Sequence, residues 1–182
     1  MCALNVVKGM ILFMETRDVI KKRNSIRKFK EETINKDELS KLLEAAECAS
    51  VGHGYYDKMH LTVVQNKDVF DKFNEVIKED TGKENSLFYN APTLIVMSTN
   101  IEEDLLAGQC VGTMGENMLL MATDLNLGCV YIDTFLESIK KDENALKLLD
   151  LPEGFRPIAA IAVGYMDMPS VPKNHKVEVN YI

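Results

Sequence analysis

Along most of the chain apolar positions recur every three or four residues, and between those stretches they gather into short continuous runs. Residues 15–23 read as a short helix, acidic early and basic late as the helix dipole favours. A second helix is predicted over Asp37–Cys48, with Leu39, Leu42, Leu43 and Ala46 on one face, and a third over Asp68–Asp80 through Val69, Phe73, Val76 and Ile77. The "TGKENS" that follows breaks the third helix. Residues 104–126 carry the longest helical pattern, apolar on more than one face and closed by "NLG", which predicts a buried helix. "TFLESIKKDENALKLLD", residues 134–150, predicts one more helix.

Four runs predict strands: "LTVVQN" (61–66), "PTLIVMST" (92–99), "GCVYI" (128–132) and "RPIAAIAVGY" (156–165). The second is apolar almost throughout and so implies burial on both faces. Residues 169–182 read as an extended tail with a Val–x–Val alternation. Helices interleave with strands, and no repeat or Gly/Pro/Ser-rich linker divides them, so a single α+β sandwich is expected.

Composition sharpens this reading. A chain of 182 residues suits one core, burying about 70% of the surface its unfolded form exposes. With 46% hydrophobic residues it can offset its ordering entropy. The net charge of −7 repels nucleic acid and anionic membranes, and no apolar run reaches the length of a membrane span, so neither is an expected partner. The N-terminal "MCALNVVKGMILF" is apolar but carries Lys8 and no clear cleavage site. Residues 1–13 therefore read as an extension, residues 14–182 as the folded domain, and the cytoplasm as its place. Cys2, Cys48, Cys110 and Cys129 form no CxxC pair and read as small buried apolar residues.

Gly108, Gly112 and Gly115 lie at i, i+4, i+7 in the long helix and leave one stripe almost bare. Each glycine inside a helix costs about 1 kcal/mol relative to Ala, so a close approach is expected there. Either the domain's own sheet or a helix of a second subunit can supply it.

Several chemistries fail on their residues. The only Gly-Lys pair, Gly82–Lys83, is followed by Glu84 and lacks an upstream glycine, which excludes a Walker-type loop. "GHGYYD" lacks the third glycine of a dinucleotide fingerprint and precedes a strand. His53, His60 and His175 have no metal-ligand spacing, and no GxSxG elbow is present. What stands out is "KKRNSIRKFK", residues 21–30, a basic run in an acidic chain. Arg23, Ser25 and Arg27 can converge on a phosphate through two guanidinium forks and a hydroxyl, or form a solvated basic helix end.

"RNSIRKFK" resembles the N-terminal RRSxRxF signature of the FMN-dependent nitroreductase family. The likeness continues in order: "INKDELSKLLEAAECAS", "GENMLLMATDLNLGCVYI", "LPEGFRPIAAIAVGY" and "PSVPKNHK" are similar to later blocks of that family. The resemblance implies a mostly antiparallel central sheet flanked by helices, in a homodimer with a long buried interface helix. It also implies one FMN per subunit at the interface, NADH or NADPH as donor, and a ping-pong cycle that reduces nitroaromatic, quinone or related small-molecule acceptors. Carried over by position, Arg23, Ser25 and Arg27 hold the phosphate and the polar edge of the flavin, with Asn24 beside them. Lys173 and His175 match a phosphate-binding PK-x-R tail, His standing where that motif has Arg. Asp133 and Thr134 of "YIDTF" fall in the loop facing flavin N5. The ring carries the redox chemistry, so no catalytic side chain is assigned.

"CASVGHGYYDKMHLTVV" departs from the family's APS-x-x-N-x-QPWxF: Ser50 is kept, His53 takes the place of Asn, and the QPW has no counterpart. Ser50 and His53 are counted with the cofactor site, and acceptor choice is expected to differ. A flavin-storing or regulatory protein of the same fold, or a specialised reductase or dehydrogenase, is the alternative.

Overall fold

The structure, a computed structural model, describes residues 3–7, 10–171 and 175–182, with side chains from residue 15 onward. Strands β1 (Ala3–Val7) and β2 (Met10–Met14) pair antiparallel with each other. The body is built on four further strands, β3 (Met59–Val64), β4 (Thr93–Thr99), β5 (Gly128–Ile132) and β6 (Arg156–Gly164). They form one antiparallel sheet in the order β3–β4–β6–β5.

The period-two geometry of β4 splits the core into two layers. Ile95 and Met97 pack with Leu42 and Ala46 of α2 (Lys36–Glu47) and with Val111, Met114 and Met118 of α4 (Asp104–Asp124). Leu94 and Val96 point the other way, against Phe73 and Ile77 of α3 (Lys67–Thr81) and Phe135 and Ile139 of α5 (Thr134–Ile139). Helices thus cover both faces, and all seven residues of β4 are buried.

Local chemistry sets the helix ends. Asn35 and Glu38 form a reciprocal capping box at the start of α2, and α3 stops at Gly82 in the left-handed region (φ 69°). The predicted stop of α4 is a Schellman-type turn, in which Leu127 N–H donates to Ala122 C=O at 2.8 Å while Asn126 is left-handed (φ 58°).

Two expectations change. The helix predicted over 134–150 is two, α5 and α6 (Glu143–Lys147), because the Asp142 carboxylate accepts from the N–H groups of Asn144 and Ala145 and starts a new helix. Cys110 and Cys129 are buried, but Cys48 is exposed at the C-terminal end of α2, and Cys2 lies outside the described residues.

The glycines of α4 divide. A Cβ on Gly115 would lie 2.6 Å from Tyr131 Cε2, so the chain's own β5 accounts for that one. A Cβ on Gly108 or Gly112 would meet nothing within 4 Å among the described residues. With Leu105, Gln109, Thr113 and Glu116 they form an open stripe along one side of the helix.

Candidate functional site

After α1 (Thr16–Lys22) the basic run leaves helical geometry and lies along the outer edge of β5. Ser25 bridges Cys129 in parallel, and Ile26 N–H donates to Cys129 C=O at 2.9 Å. Ile26 anchors the run because its side chain, 2% exposed, fills the space above Gly128. The chain leaving β6 returns beside the same run. Lys30 N–H donates to Tyr165 C=O (2.9 Å), Asp167 N–H to Lys28 C=O (3.0 Å), and Asn24 Nδ2 to Val171 C=O (3.0 Å). Lys28 also pairs with Asp167 at 2.7 Å, holding that carboxyl below its usual range.

This return brings His175 to the end of α1. Lys21, Arg23, Asn24, Ser25, Glu116 and His175 line one cavity of about 400 Å³. Glu116, from the open stripe of α4, places Oε1 3.6 Å from Arg23 Nε. The cavity therefore offers guanidinium, ammonium, amide, hydroxyl and imidazole groups around a single carboxylate, a donor set suited to an oxyanion.

Arg27 serves a different space. Four residues of extended chain span roughly 13 Å, and Arg27 lines a second cavity of about 820 Å³ with Asn74, Lys83, Asn85, Tyr89 and Asn90. Its Nε donates to Tyr89 Oη at 3.3 Å, and its guanidinium carbon lies 5.7 Å from the centre of the Tyr89 ring. Tyr89 and Asn90 are both left-handed (φ 58° and 54°), an uncommon pair that turns the loop toward this cavity. Asn74 Oδ1 is buried with no hydrogen-bond partner among the described residues. Arg23 and Arg27 thus line different cavities of the subunit, while Arg27 Nη1 donates to Ser25 C=O at 3.4 Å.

The remaining assigned residues lie elsewhere. Thr113 Oγ1 donates to Ser50 C=O at 2.7 Å, so the loop carrying Ser50 rests on the open stripe of α4. His53 is exposed and left-handed (φ 56°), its ring 5.3 Å from that of Tyr55, which packs on the core and has Lys58 Nζ 4.4 Å from its ring centre. Asp133 and Thr134 are exposed at the β5–α5 junction and line neither cavity. Lys173 lies outside the described residues. Nearby, burial pushes the Cys129 thiol up to about 12, which leaves it unreactive. Burial, then the charge of Asp133, raises the Tyr131 phenol.

A sequence profile of the nitroreductase family matches residues 20–165. The chain belongs to the nitroreductase family. A Methanothermobacter thermautotrophicus protein, provisionally named an NADH dehydrogenase/NAD(P)H nitroreductase, is 28% identical over 165 residues, covering 87% of this chain and 81% of that one. An NADPH-dependent oxidoreductase of Staphylococcus haemolyticus is 29% identical over 163 residues, and the chain spans 63% of its length. The crystal structure of a nitroreductase with bound FMN from Bacteroides fragilis superposes with a TM-score of 0.79 at 29% identity, covering 93% of this chain and 97% of that one. An FMN-bound nitroreductase from Desulfitobacterium hafniense shares the fold, with a TM-score of 0.81 at 23% identity over 93% of this chain and all of that one.

In this nitroreductase-family chain, then, Arg23, Asn24, Ser25 and His175 come together on one cavity, Arg27 lines a second, and the loop carrying Ser50 and His53 rests on α4. Sequence reasoning passed over Lys21, Glu116, Asn74 and Tyr89. Lys21 and Glu116 lay inside blocks already singled out. Tyr89 meets Arg27 across 62 residues, a contact that no local pattern marks.

Proposed function

We propose that the chain is an NAD(P)H-dependent FMN oxidoreductase that reduces nitroaromatic, quinone or related small-molecule acceptors in a ping-pong cycle. The observation that carries this reading is the convergence of Arg23, Asn24, Ser25 and His175, some 150 residues apart in sequence, on one cavity in a nitroreductase-family fold. The residues fit FMN on two counts. One cavity has the donors a phosphate needs, and the other is lined by Arg27 and by Asn74, whose buried Oδ1 has no partner among the described residues, a pairing of groups suited to the polar edge of a heterocycle. Arg23, Ser25, His175 and Lys173 would hold the phosphate, and Arg27 and Asn74 the ring edge. When bound, FMN supplies the hydride chemistry, and the protein supplies orientation and a cavity for donor and acceptor in turn.

The working unit is a homodimer formed through the open stripe of α4, which lets a second backbone approach where Gly108 and Gly112 lack side chains. In that dimer the loop carrying Ser50 and His53, resting on Thr113 of the stripe, reaches the interface and shapes the acceptor site. Asp133 and Thr134 at the β5–α5 junction face the ring. Residues 14–182 form the functional domain and 1–13 an extension, in a cytoplasmic protein. Among the described residues no helix is long and apolar enough to cross a membrane.

Anaerobic titration tests the reading. Purified protein should take up FMN, and adding NADH or NADPH should bleach the flavin absorbance until an acceptor restores it. Protein that binds FMN yet is bleached by neither nicotinamide would not be this enzyme.

A further inference from the structure

The cavity between α1 and α4 contains a carboxylate at the point where the proposed cofactor needs its positive charge. Of the described residues lining it, Lys21, Arg23 and His175 are basic and Glu116 is the one acid. Glu116 Oε1 lies 3.6 Å from Arg23 Nε, with the two side chains 52% and 31% exposed. The helix is pinned on both sides of this residue. Gly115 sits directly beneath the Tyr131 ring, and Asn117 Nδ2 donates to Ala45 C=O at 3.0 Å. Glu116 is thus held facing the cavity by its neighbours in α4.

We infer that Glu116 sets the affinity for phosphorylated flavin, acting as a built-in competitor for Arg23. This rests on the flavin reading above. A phosphate entering the cavity must share or take over the Arg23 guanidinium and also sit close to the Glu116 carboxylate. Both effects oppose a dianion, and neither acts on a flavin that ends in a hydroxyl. The site therefore holds FMN less tightly than its basic groups alone would allow, and the gap between FMN and riboflavin is narrowed. Within the subunit the pair is partly exposed and water screens it, so the effect read there is modest.

The test is fluorescence titration of the full-length apoprotein with FMN and with riboflavin, for the wild type, Glu116→Gln and Glu116→Ala. Removing the carboxylate should tighten FMN by about fivefold in both variants and move riboflavin by less than about twofold, as expected for an exposed ion pair. Equal FMN affinity in wild type and variants, weaker FMN binding, or a parallel shift of both flavins would overturn the inference while leaving the flavin reading intact. Binding of neither flavin by any of the three proteins would remove both.

Discussion

β4 and α4 are both central, both rich in apolar residues, and packed against each other, yet they end differently. Leu94, Ile95, Val96 and Met97 of β4 are wholly buried, because the strand has neighbours at both edges and a helical layer on each face. The inner side of α4 is buried in the same core, but its outer side leaves Leu105 68% exposed beside Gly108 and Gly112, with nothing described above them. A strand inside a sandwich is completed by its own chain. A helix in an outer layer is not, and two open glycines, Gly108 and Gly112, at about 1 kcal/mol each make an odd surface unless another backbone approaches. The cationic cavity opens at the end of that unfinished side, where Arg23 meets Glu116.

The largest test of the contrast lies in the finished half. Ile95→Ala should lower stability by about 2–5 kcal/mol in urea unfolding, since the site has no room to collapse. A loss under about 1 kcal/mol would mean that the β4 layer is looser than its burial indicates. On the open side, Arg23→Ala should weaken FMN binding by about 1.5–3 kcal/mol in a flavin fluorescence titration, the range for a hydrogen bond to a charged group. Its apoprotein should melt close to the wild type, because the pair it breaks is partly exposed. A lowered melting temperature with FMN affinity unchanged would instead make the basic run a structural helix end.

The glycines give a sharper comparison within one helix. Gly115→Ala should destabilise by about 1–3 kcal/mol, as the added carbon drives into Tyr131. Gly112→Ala should be neutral or should stabilise an isolated subunit by up to about 1 kcal/mol. Gly112→Leu should spare the fold yet dissociate the proposed dimer in light scattering. Equal costs for the two alanines would break the distinction between the two sides of α4.

The smallest effect belongs to the tie between α3 and α5, far from the open stripe. Lys141 at 2.8 Å, with the Ser138 hydroxyl, holds the Asp80 carboxyl below its ordinary 3.8. A depressed carboxyl stabilises the fold above its unfolded value and loses that contribution as pH falls through the folded one. Asp80→Asn should therefore flatten the acid limb of a stability–pH curve below about pH 4 and leave oligomeric state and FMN affinity untouched.

Most elements were legible because each obeys a local rule. The 3.6-residue period located α2, α3 and α4, the apolar run located β4, and "NLG" closed α4 as a helix stop does. The helix predicted over 134–150 failed at Asp142, where a side chain competing for two backbone N–H groups outweighed apolar spacing. At the site, the basic run was conspicuous as a charge anomaly. Its division between two cavities was not, because Arg23 and Arg27 separate only when Ile26 docks on Gly128 and extends the chain between them.

By itself the sequence determined α1 to α4 and the four strands of the main sheet, though not the β1–β2 hairpin or the break between α5 and α6, together with the two-sided burial of β4 and the presence of an anion-seeking cluster, since periodicity and charge act between residues close in the chain. The tertiary structure alone decided that Glu116 faces Arg23, that Asn74 and Tyr89 join Arg27, and that His175 returns to the end of α1. It also decided which glycines of α4 are filled from within and which stay open. Those outcomes depend on how the sheet orders β5 and β6 and lays the basic run along its edge, and pairings over tens of residues leave no mark in local sequence.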